Sequence, residues 1–344
     1  MSDILRNAVK KVSERRDLSE DEMFAAMNEI LEGNASEALI AAFLIALRMK
    51  GESVDEITGA ARLMREKALP LPLRSRDGIV DVVGTGGDDA GTFNISTAAA
   101  FVAAGAGVRI AKHGNRSVSS RCGSADVMEA LGIAITIPPE AVATCIDEIG
   151  IGFLFAPTFH RAMKHAAPVR ASLGIRTIFN ILGPLTNPAD AQRQLIGVYH
   201  GDLAEKIAQV LRRLGKTRAL VVYGEDGLDE ITVTGQTIMH ELRDGALTRW
   251  ILNPASYGIA SYHKHELLGG TARENAALIE ALFRGAPGAP RDCVLLNAGA
   301  AIMVAGMVSD LADGIRAAAE AIDSGAALRK LNALKELSHK LAPT

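Results

Sequence analysis

The first 72 residues carry hydrophobic positions at helical spacing, and the pattern then switches to short apolar runs. Leu39, Phe43, Leu44 and Leu47 form one stripe, which predicts an amphipathic helix opened by Ser36 and closed by Gly51. Ser19 with Glu22, and Ser53 with Glu56, place a hydroxyl three residues before a carboxylate, the arrangement of a capping box. These predict helices that end near Gly33 and Ala68. Pro70 and Pro72 then mark a boundary between a helical domain, residues 1–72, and the remainder, 73–344. The Ala- and Leu-rich helix faces need cover, either from the rest of the chain or from a second copy.

From Ile79 onward the period changes. Ile79–Val83, Val108–Ala111, Ile133–Ile137, Gly152–Phe155, Leu195–Tyr199 and Ala219–Tyr223 read as strands. Between them, Ile95–Ala104, Ser124–Leu131, Pro139–Ile149 and Leu203–Leu214 read as helices. That alternation predicts an α/β fold whose mainly parallel central sheet is covered by helices. Thr232–Trp250, with turn signals at Gly235 and Asp244–Gly245, predicts antiparallel strands, and the chain beyond Arg273 is helical.

Composition narrows the class. Among 344 residues, 37 Lys and Arg stand against 40 Asp and Glu, a formal net charge of −3. That balance argues against a dedicated binder of nucleic acid or of anionic membranes. Cys122, Cys145 and Cys293 are too widely spaced for a disulfide framework or a structural zinc site. The longest apolar stretch, Ala98–Val108, is about half of the roughly 20 residues that a bilayer requires. Met1–Val12 lacks the apolar core of a signal peptide, so a cytoplasmic protein is expected.

Candidate chemistry collects in four segments. Asp81–Thr97 carries Gly84, Gly86, Gly87 and Gly91 between a strand and a helix that begins near Asn94. Glycines let backbone N–H groups approach an anion, and a helix N-terminus adds a favourable field. Thr92, Ser96 and Thr97 add hydroxyl donors or a metal ligand. The spacing fits neither the dinucleotide fingerprint, because Asp89 takes its third small position, nor the P-loop. A purely structural glycine turn is the alternative. Lys112–Arg121 displays three cations and three serines after a strand, at an edge where a polyanion fits. Gly224–Glu230 gathers carboxylates on a glycine-flanked turn, which suits Mg²⁺ or a plain exposed acidic turn. In the basic segment Phe159–Arg170, Arg170 is the best candidate to clamp a carboxylate. No nucleophile-elbow serine or Cys/His pair occurs.

Gly-Thr-Gly-Gly-Asp at 84–88, Asn-Ile-Ser-Thr at 94–97, Lys112–Ser120, Asn180–Pro188 and Gly227–Glu230 together resemble the anthranilate phosphoribosyltransferase family, over essentially the whole chain. The resemblance implies a small N-terminal helical domain and a larger α/β domain similar to pyrimidine nucleoside phosphorylases. It implies a homodimer through the helical domain, and a segment near 175–190 that returns to that domain or acts as a hinge. The implied reaction moves the phosphoribosyl group of 5-phosphoribosyl 1-diphosphate (PRPP) to the amine of anthranilate and releases pyrophosphate, in tryptophan biosynthesis. Carried over by position, Gly84, Gly87, Asp88, Thr92, Asn94, Ile95, Ser96 and Thr97 are expected at PRPP. Lys112, His113, Gly114, Asn115, Arg116, Ser117, Val118, Ser119, Ser120 and Ser124 join them. Gly84, Asn115 and Arg170 match anthranilate positions, and Ser96, Asp229 and Glu230 match ligands of the implied cofactor, Mg²⁺.

Asp89 stands where the family has a small residue and is expected to face solvent. Anthranilate's amine is already neutral at working pH, so a strong base is not required; His113 is the candidate proton acceptor. No nucleic-acid or membrane partner is implied. The rival readings are a pyrimidine nucleoside phosphorylase of similar fold and a non-catalytic nucleic-acid-binding relative. Asp229–Glu230 and Arg170 speak against the first, and the slight acidity and intact motifs against the second.

Overall fold

A computed structural model describes residues 3–88, 90–117 and 121–343. Asp89, Val118, Ser119 and Ser120, named above, lie outside the described residues. Four helices come first: α1 (Asp3–Ser13), α2 (Glu20–Leu31), α3 (Glu37–Lys50) and α4 (Val54–Lys67). Both expected capping boxes form, at Ser19 with Glu22 and at Ser53 with Glu56. The fully buried Glu56 carboxylate also accepts from the Leu18 amide at 2.9 Å and pairs with Lys50 Nζ at 2.8 Å. One carboxylate thus joins the entry to α2, the end of α3 and the start of α4.

Strand β1 (Ile79–Gly84) leads through α5 (Ile95–Gly105) to β2 (Arg109–Gly114). Then come α6 (Ser124–Ala130), α7 (Pro139–Ile149), β3 (Ile151–Phe155) and the short α8 (Ala156–Phe159). Helices α9 (Ala167–Leu173) and α10 (Ile178–Leu185) precede β4 (Arg193–Gly197), α11 (Gly201–Arg213) and β5 (Arg218–Gly224). A hairpin, β6 (Thr237–Arg243) and β7 (Ala246–Leu252), turns at Asp244 and Gly245, whose positive φ values of 49° and 82° suit a primed turn. Helices α12 (Ala272–Phe283), α13 (Ala289–Val304), α14 (Leu311–Asp323) and α15 (Ala326–Lys340) end the chain.

The seven strands form one sheet in the order β3-β2-β1-β4-β5-β6-β7, parallel from β3 to β5 and antiparallel beyond. Alternation along the strands separates two cores. Leu195, Leu220 and Val222 face α5 and the C-terminal helices, whereas Ile196, Ala219 and Val221 join α11 and the N-terminal helices. Helix α10 belongs to the second core, where Ile178, Phe179 and Leu182 pack with Leu44 and Ile57. Across that side, Asp190 pairs with Arg65 of α4 and, at 2.9 Å, with Lys216 Nζ.

Two expected strands are absent. Ile133–Ile137 is extended but unpaired with the sheet; its buried isoleucines lie beneath α15, where Ser338 Oγ accepts from the Ala134 amide at 3.1 Å. Burial on one side gives a period of two without a ladder. Residues 232–236 are likewise no strand, because Asp226 draws the Thr232 and Thr234 hydroxyls into a knot. Among the described residues no helix is long and apolar enough to cross a membrane.

Replacing Glu56 by Ala would leave Lys50, only 4% exposed, with the exposed Asp17 and the Gly51 carbonyl, and would take the acceptor from the buried Leu18 amide and the half-buried Ser53 amide. Urea unfolding of Glu56→Ala should show a loss of about 3 kcal/mol, the scale for breaking a buried pair; a loss below about 1 kcal/mol would refute this account of the bundle.

Candidate active site

The chain leaves β1 toward β2 and β3 on one side, then returns to place β4 on the other. Connections that diverge in this way open a crevice at the carboxyl ends of the two central strands. Gly84 and Gly197 end β1 and β4 as register partners. A Cβ on Gly84 would come within 2.5 Å of an Asp229 carboxylate oxygen, and one on Gly197 would overlap the Asp229 carbonyl. The paired glycines therefore make room for the acidic loop after β5 to fold back into the crevice. Asp229 Oδ2 accepts from the Gly86 amide at 2.7 Å, and Thr85 N donates to the Gly197 carbonyl at 2.9 Å. Gly86 and Gly87 reach this path with positive φ, 66° and 78°.

Asp229 and Glu230 are both buried. Burial and then the Asp88 charge raise the Asp229 carboxyl to about 7; burial and then Asp229 push Glu230 well above the usual range. Asp88 Oδ2 is buried with no donor among the described residues. Beneath them lies Lys112, 1% exposed, whose Nζ donates to the Val82 carbonyl at 2.7 Å and Ser96 Oγ at 3.4 Å. Burial lowers its pKa, against the pull of Asp81, Glu230 and Asp229. Asp81, fully buried, accepts from the His113 amide at 3.1 Å, and desolvation raises it to about 6.

One buried ammonium thus faces three buried carboxylates. Among the described residues no three His, Cys, Asp or Glu side chains form a metal cage by themselves. An all-oxygen set of Asp229, Glu230 and the Ser96 hydroxyl fits Mg²⁺, which commonly takes one or two carboxylates and completes its shell with water and substrate phosphate.

The structure corrects the expectation of a displayed cationic loop at Lys112 and His113. Both lie within β2 and are buried, because Lys112 sends its ammonium down to a carbonyl and the carboxylates. Beyond Gly114 the chain does turn outward. Arg116 is committed to Glu129 at 2.5 Å and Asp126 at 3.0 Å, while the Ser117 and Gly123 amides donate to Asp126 Oδ2. Ser124 Oγ donates to the Asn115 carbonyl at 3.3 Å, which folds this loop around the start of α6.

Asn94 stands at the N-cap of α5 without capping it. Its Nδ2 donates to the Cys122 carbonyl at 3.2 Å, and its Oδ1 accepts from Asn275 Nδ2 at 3.0 Å. Among the described residues nothing caps the first turn of α5, Ile95 to Thr97, with a side chain, and the buried Thr97 hydroxyl has no partner. An uncapped N-terminus beside a glycine loop is an anion site in waiting. Thr92 holds the loop's far end through a bridge to Leu268.

Sequence reasoning gave Asn275 no role. It is 1% exposed on α12, and its Oδ1 accepts from the Gly270 amide at 2.7 Å. Its only signal was one polar residue at a buried position of an amphipathic helix.

The opposite wall is built on α10. Last-turn carbonyls of a helix lack internal donors, and here side chains supply them. Gln194 Nε2 donates to the Pro184 carbonyl at 2.9 Å, and His113 Nδ1 lies 3.1 Å from the Gly183 carbonyl. A carbonyl only accepts, so this contact puts the imidazole proton on Nδ1. His160, also set aside by sequence reasoning, bonds the Thr186 backbone and lies 5.2 Å from His113, ring to ring. Both rings keep a buried Nε2 without a partner among the described residues. Burial, and for His113 also the nearby His160, lowers their pKa values to about 3 and about 4. Arg170 on α9 sits 5.1 Å above the Phe179 ring; among the described residues no carboxylate pairs with it, and burial lowers its pKa.

Comparison with known proteins places these features in context. The family model for the Glycosyl transferase family, a/b domain, matches residues 76–328, and that for the helical bundle domain matches 6–68. The chain is 55% identical over 331 residues to an anthranilate phosphoribosyltransferase of Moorella thermoacetica, covering 96% of this chain and 97% of that protein. Its fold is similar to the crystal structure of anthranilate phosphoribosyltransferase from Thermus thermophilus, with a TM-score of 0.91 at 44% identity, covering 96% and 99% of the two chains. The Saccharomyces cerevisiae enzyme in complex with PRPP and Mg is similar too, with a TM-score of 0.88 at 28% identity over 98% of each chain.

The two imidazoles make stability depend on pH with a defined sign. The unfolded chain takes up protons near pH 6.5, whereas the folded chain holds both rings neutral until about pH 3 to 4. Their contribution is complete above pH 6.5 and is lost as pH falls, by about 1.4 kcal/mol per pH unit for each histidine. Denaturant unfolding between pH 6.5 and 4.5 should show a shallower loss in His113→Asn/His160→Asn; parallel curves would mean the rings are not held neutral.

Proposed function

The chain belongs to the anthranilate phosphoribosyltransferase family, and from that premise we infer what each wall of its crevice does. It transfers the phosphoribosyl group of PRPP to the amine of anthranilate with release of pyrophosphate, a step of tryptophan biosynthesis. The observation that carries the assignment of the site is the acidic loop seated on Gly84 and Gly197 beside the uncapped start of α5. One face of the crevice offers amides to phosphate, and the other offers carboxylates to a cation.

Asp229, Glu230 and Ser96 are the residues that would hold Mg²⁺, an ion with which the similar yeast enzyme was solved together with PRPP. When bound, the ion offsets the charge that builds on the departing diphosphate. The chain's own contribution is orientation and field. The amide of Gly87 and those of Asn94, Ser96 and Thr97 donate to the phosphates, Gly84 leaves them room to approach, and Thr92 and Ser124 add hydroxyls. Asn115 and Arg116 to Ser117 close the ribose phosphate end, with Arg116 acting mainly as an anchor on Glu129. Lys112 steadies the carboxylates from below rather than meeting the diphosphate in solvent. Carboxylates near the reacting carbon also favour the positive charge it acquires in transfer.

Arg170 holds the anthranilate carboxylate, with Gly84 and Asn115 beside the ring. His113, with a pKa of about 3, is too weak a base to take a proton before attack. We assign it instead to the wall, where its neutral, unpartnered Nε2 would be an acceptor for a substrate N–H. An aromatic amine that is neutral already needs positioning more than deprotonation.

A homodimer through the helical unit is the assembly the family resemblance implies, and the exposed apolar side chains of Ile4 on α1 and Met49 on α3 are the surface it would cover. The same reading sets the domain division near Pro70–Pro72, with α10 packed against the helical side. The names of the relatives favour neither the nucleoside phosphorylase nor the nucleic-acid reading.

Anthranilate fluorescence should fall only when purified protein, PRPP and Mg²⁺ are all present; turnover of thymidine or uridine with phosphate in its place would overturn the assignment. Arg170→Ala should raise the KM for anthranilate about 10- to 100-fold, as expected when charge-assisted hydrogen bonds are lost. The KM for PRPP should stay within about twofold, and equal losses on both substrates would remove Arg170 from the anthranilate pocket.

A further inference from the structure

We propose that Asn297, which the mechanism above does not use, is a positioning residue for Asp229 and Glu230, acting through the backbone of Ile231. The inference rests on the reading of those carboxylates as Mg²⁺ ligands.

Every residue of α13 from Cys293 to Val304 is buried, and Asn297 is the only amide among them. A buried amide is costly unless each of its groups is paired. Here the pairing is complete and points to one place. Asn297 Oδ1 accepts from the Ile231 amide at 3.0 Å, and Nδ2 donates to the Ile231 carbonyl at 2.8 Å and the Cys293 carbonyl at 2.9 Å. One side chain thus grips both backbone groups of a single residue, as a neighbouring strand would. Ile231 belongs to no strand, is fully buried and follows Glu230 directly.

The acidic segment is held at its other end as well. Asp226 accepts from the Leu228 amide at 3.3 Å and the Thr232 hydroxyl at 2.8 Å, and Gly197 packs against the Asp229 carbonyl. Asp229 and Glu230 are consecutive buried carboxylates that repel each other, so their backbone needs restraint on both sides to keep both in the crevice. Without the Asn297 grip, the Glu230 end is free to relieve that repulsion by moving outward.

The test is PRPP binding by calorimetry over a range of Mg²⁺ concentrations, using Asn297→Ala, Asn297→Asp and, as reference, Asp229→Asn. The conservative Asp keeps the acceptor for the Ile231 amide and loses the donor to its carbonyl; it also serves if the Ala variant fails to fold. The Mg²⁺ midpoint for PRPP binding should rise about tenfold in Asn297→Ala and less in Asn297→Asp, the scale seen when a residue supporting metal ligands is lost. The KM for anthranilate at saturating PRPP and Mg²⁺ should stay within about twofold. An unchanged midpoint in a folded Asn297 variant overturns the proposal, as does an equal loss for anthranilate. If Asp229→Asn also leaves the midpoint unchanged, the metal assignment itself has failed and takes the proposal with it; a shift in Asp229→Asn alone refutes only the role of Asn297.

Discussion

A single buried ammonium facing three buried carboxylates sets the character of this site. Lys112 lies under the glycine loop within the field of Asp81, Asp229 and Glu230, and desolvation works against the charge of all four. Placing such groups in a low-dielectric interior is expensive unless charge is matched and hydrogen bonds are made. Part of the matching is internal, from the Gly86 amide to Asp229 and from Lys112 to the carbonyl of Val82. The negative excess that remains belongs to the ligands. In the proposed reading a cation would satisfy it, and phosphate would then meet the amides of the same crevice.

Helix ends complete the electrostatics, and they are treated in opposite ways. At α5 the residue best suited to cap, Asn94, turns toward Cys122 and Asn275, so the positive end of the helix faces the crevice. At α10 the negative end is closed by Gln194 and His113. The open end attracts anions. The closed end fixes an imidazole by its proton and, through burial, keeps it uncharged at neutral pH. In the proposed reading Arg170 is the cation offered to a carboxylate on that side, which would direct the two anionic substrates to different walls.

Local rules made much of this legible in the sequence. Ser19 and Ser53 open helices where hydroxyl and glutamate spacing says they should, and Ser36 does so by its hydroxyl alone, because caps are decided within one turn. The glycine loop, the parallel strands and the acidic turn were likewise local patterns. What escaped was set by distant partners. Ile133–Ile137 has strand periodicity but is covered by α15, some 200 residues on. Lys112 reads as a surface cation until the carboxylates from the loop after β5 arrive beside it. Asn275 and Asn297 are single amides whose partners, Asn94 and Ile231, lie far off in sequence. No window of residues around either one contains the reason it is there.

The two walls also belong to different cores, which bears on how a reaction governed by positioning is set up. The phosphate wall rests on α5, α12 and α13, packed on one face of the sheet. The acceptor wall, α9 and α10, packs with α3 and α4 on the other. Their common ground is the carboxyl end of β1 and β4, where paired glycines admit the acidic loop, and the Arg65–Asp190–Lys216 seam that ties α4 to the start of β4. If the two walls hold the substrates as proposed, the distance between amine and ribose is set by how these separately packed cores meet across the sheet. A substitution at that seam acts on approach geometry while leaving every ligand-contacting group intact, and a misplacement of about 1 Å is enough to cost two orders of magnitude in rate.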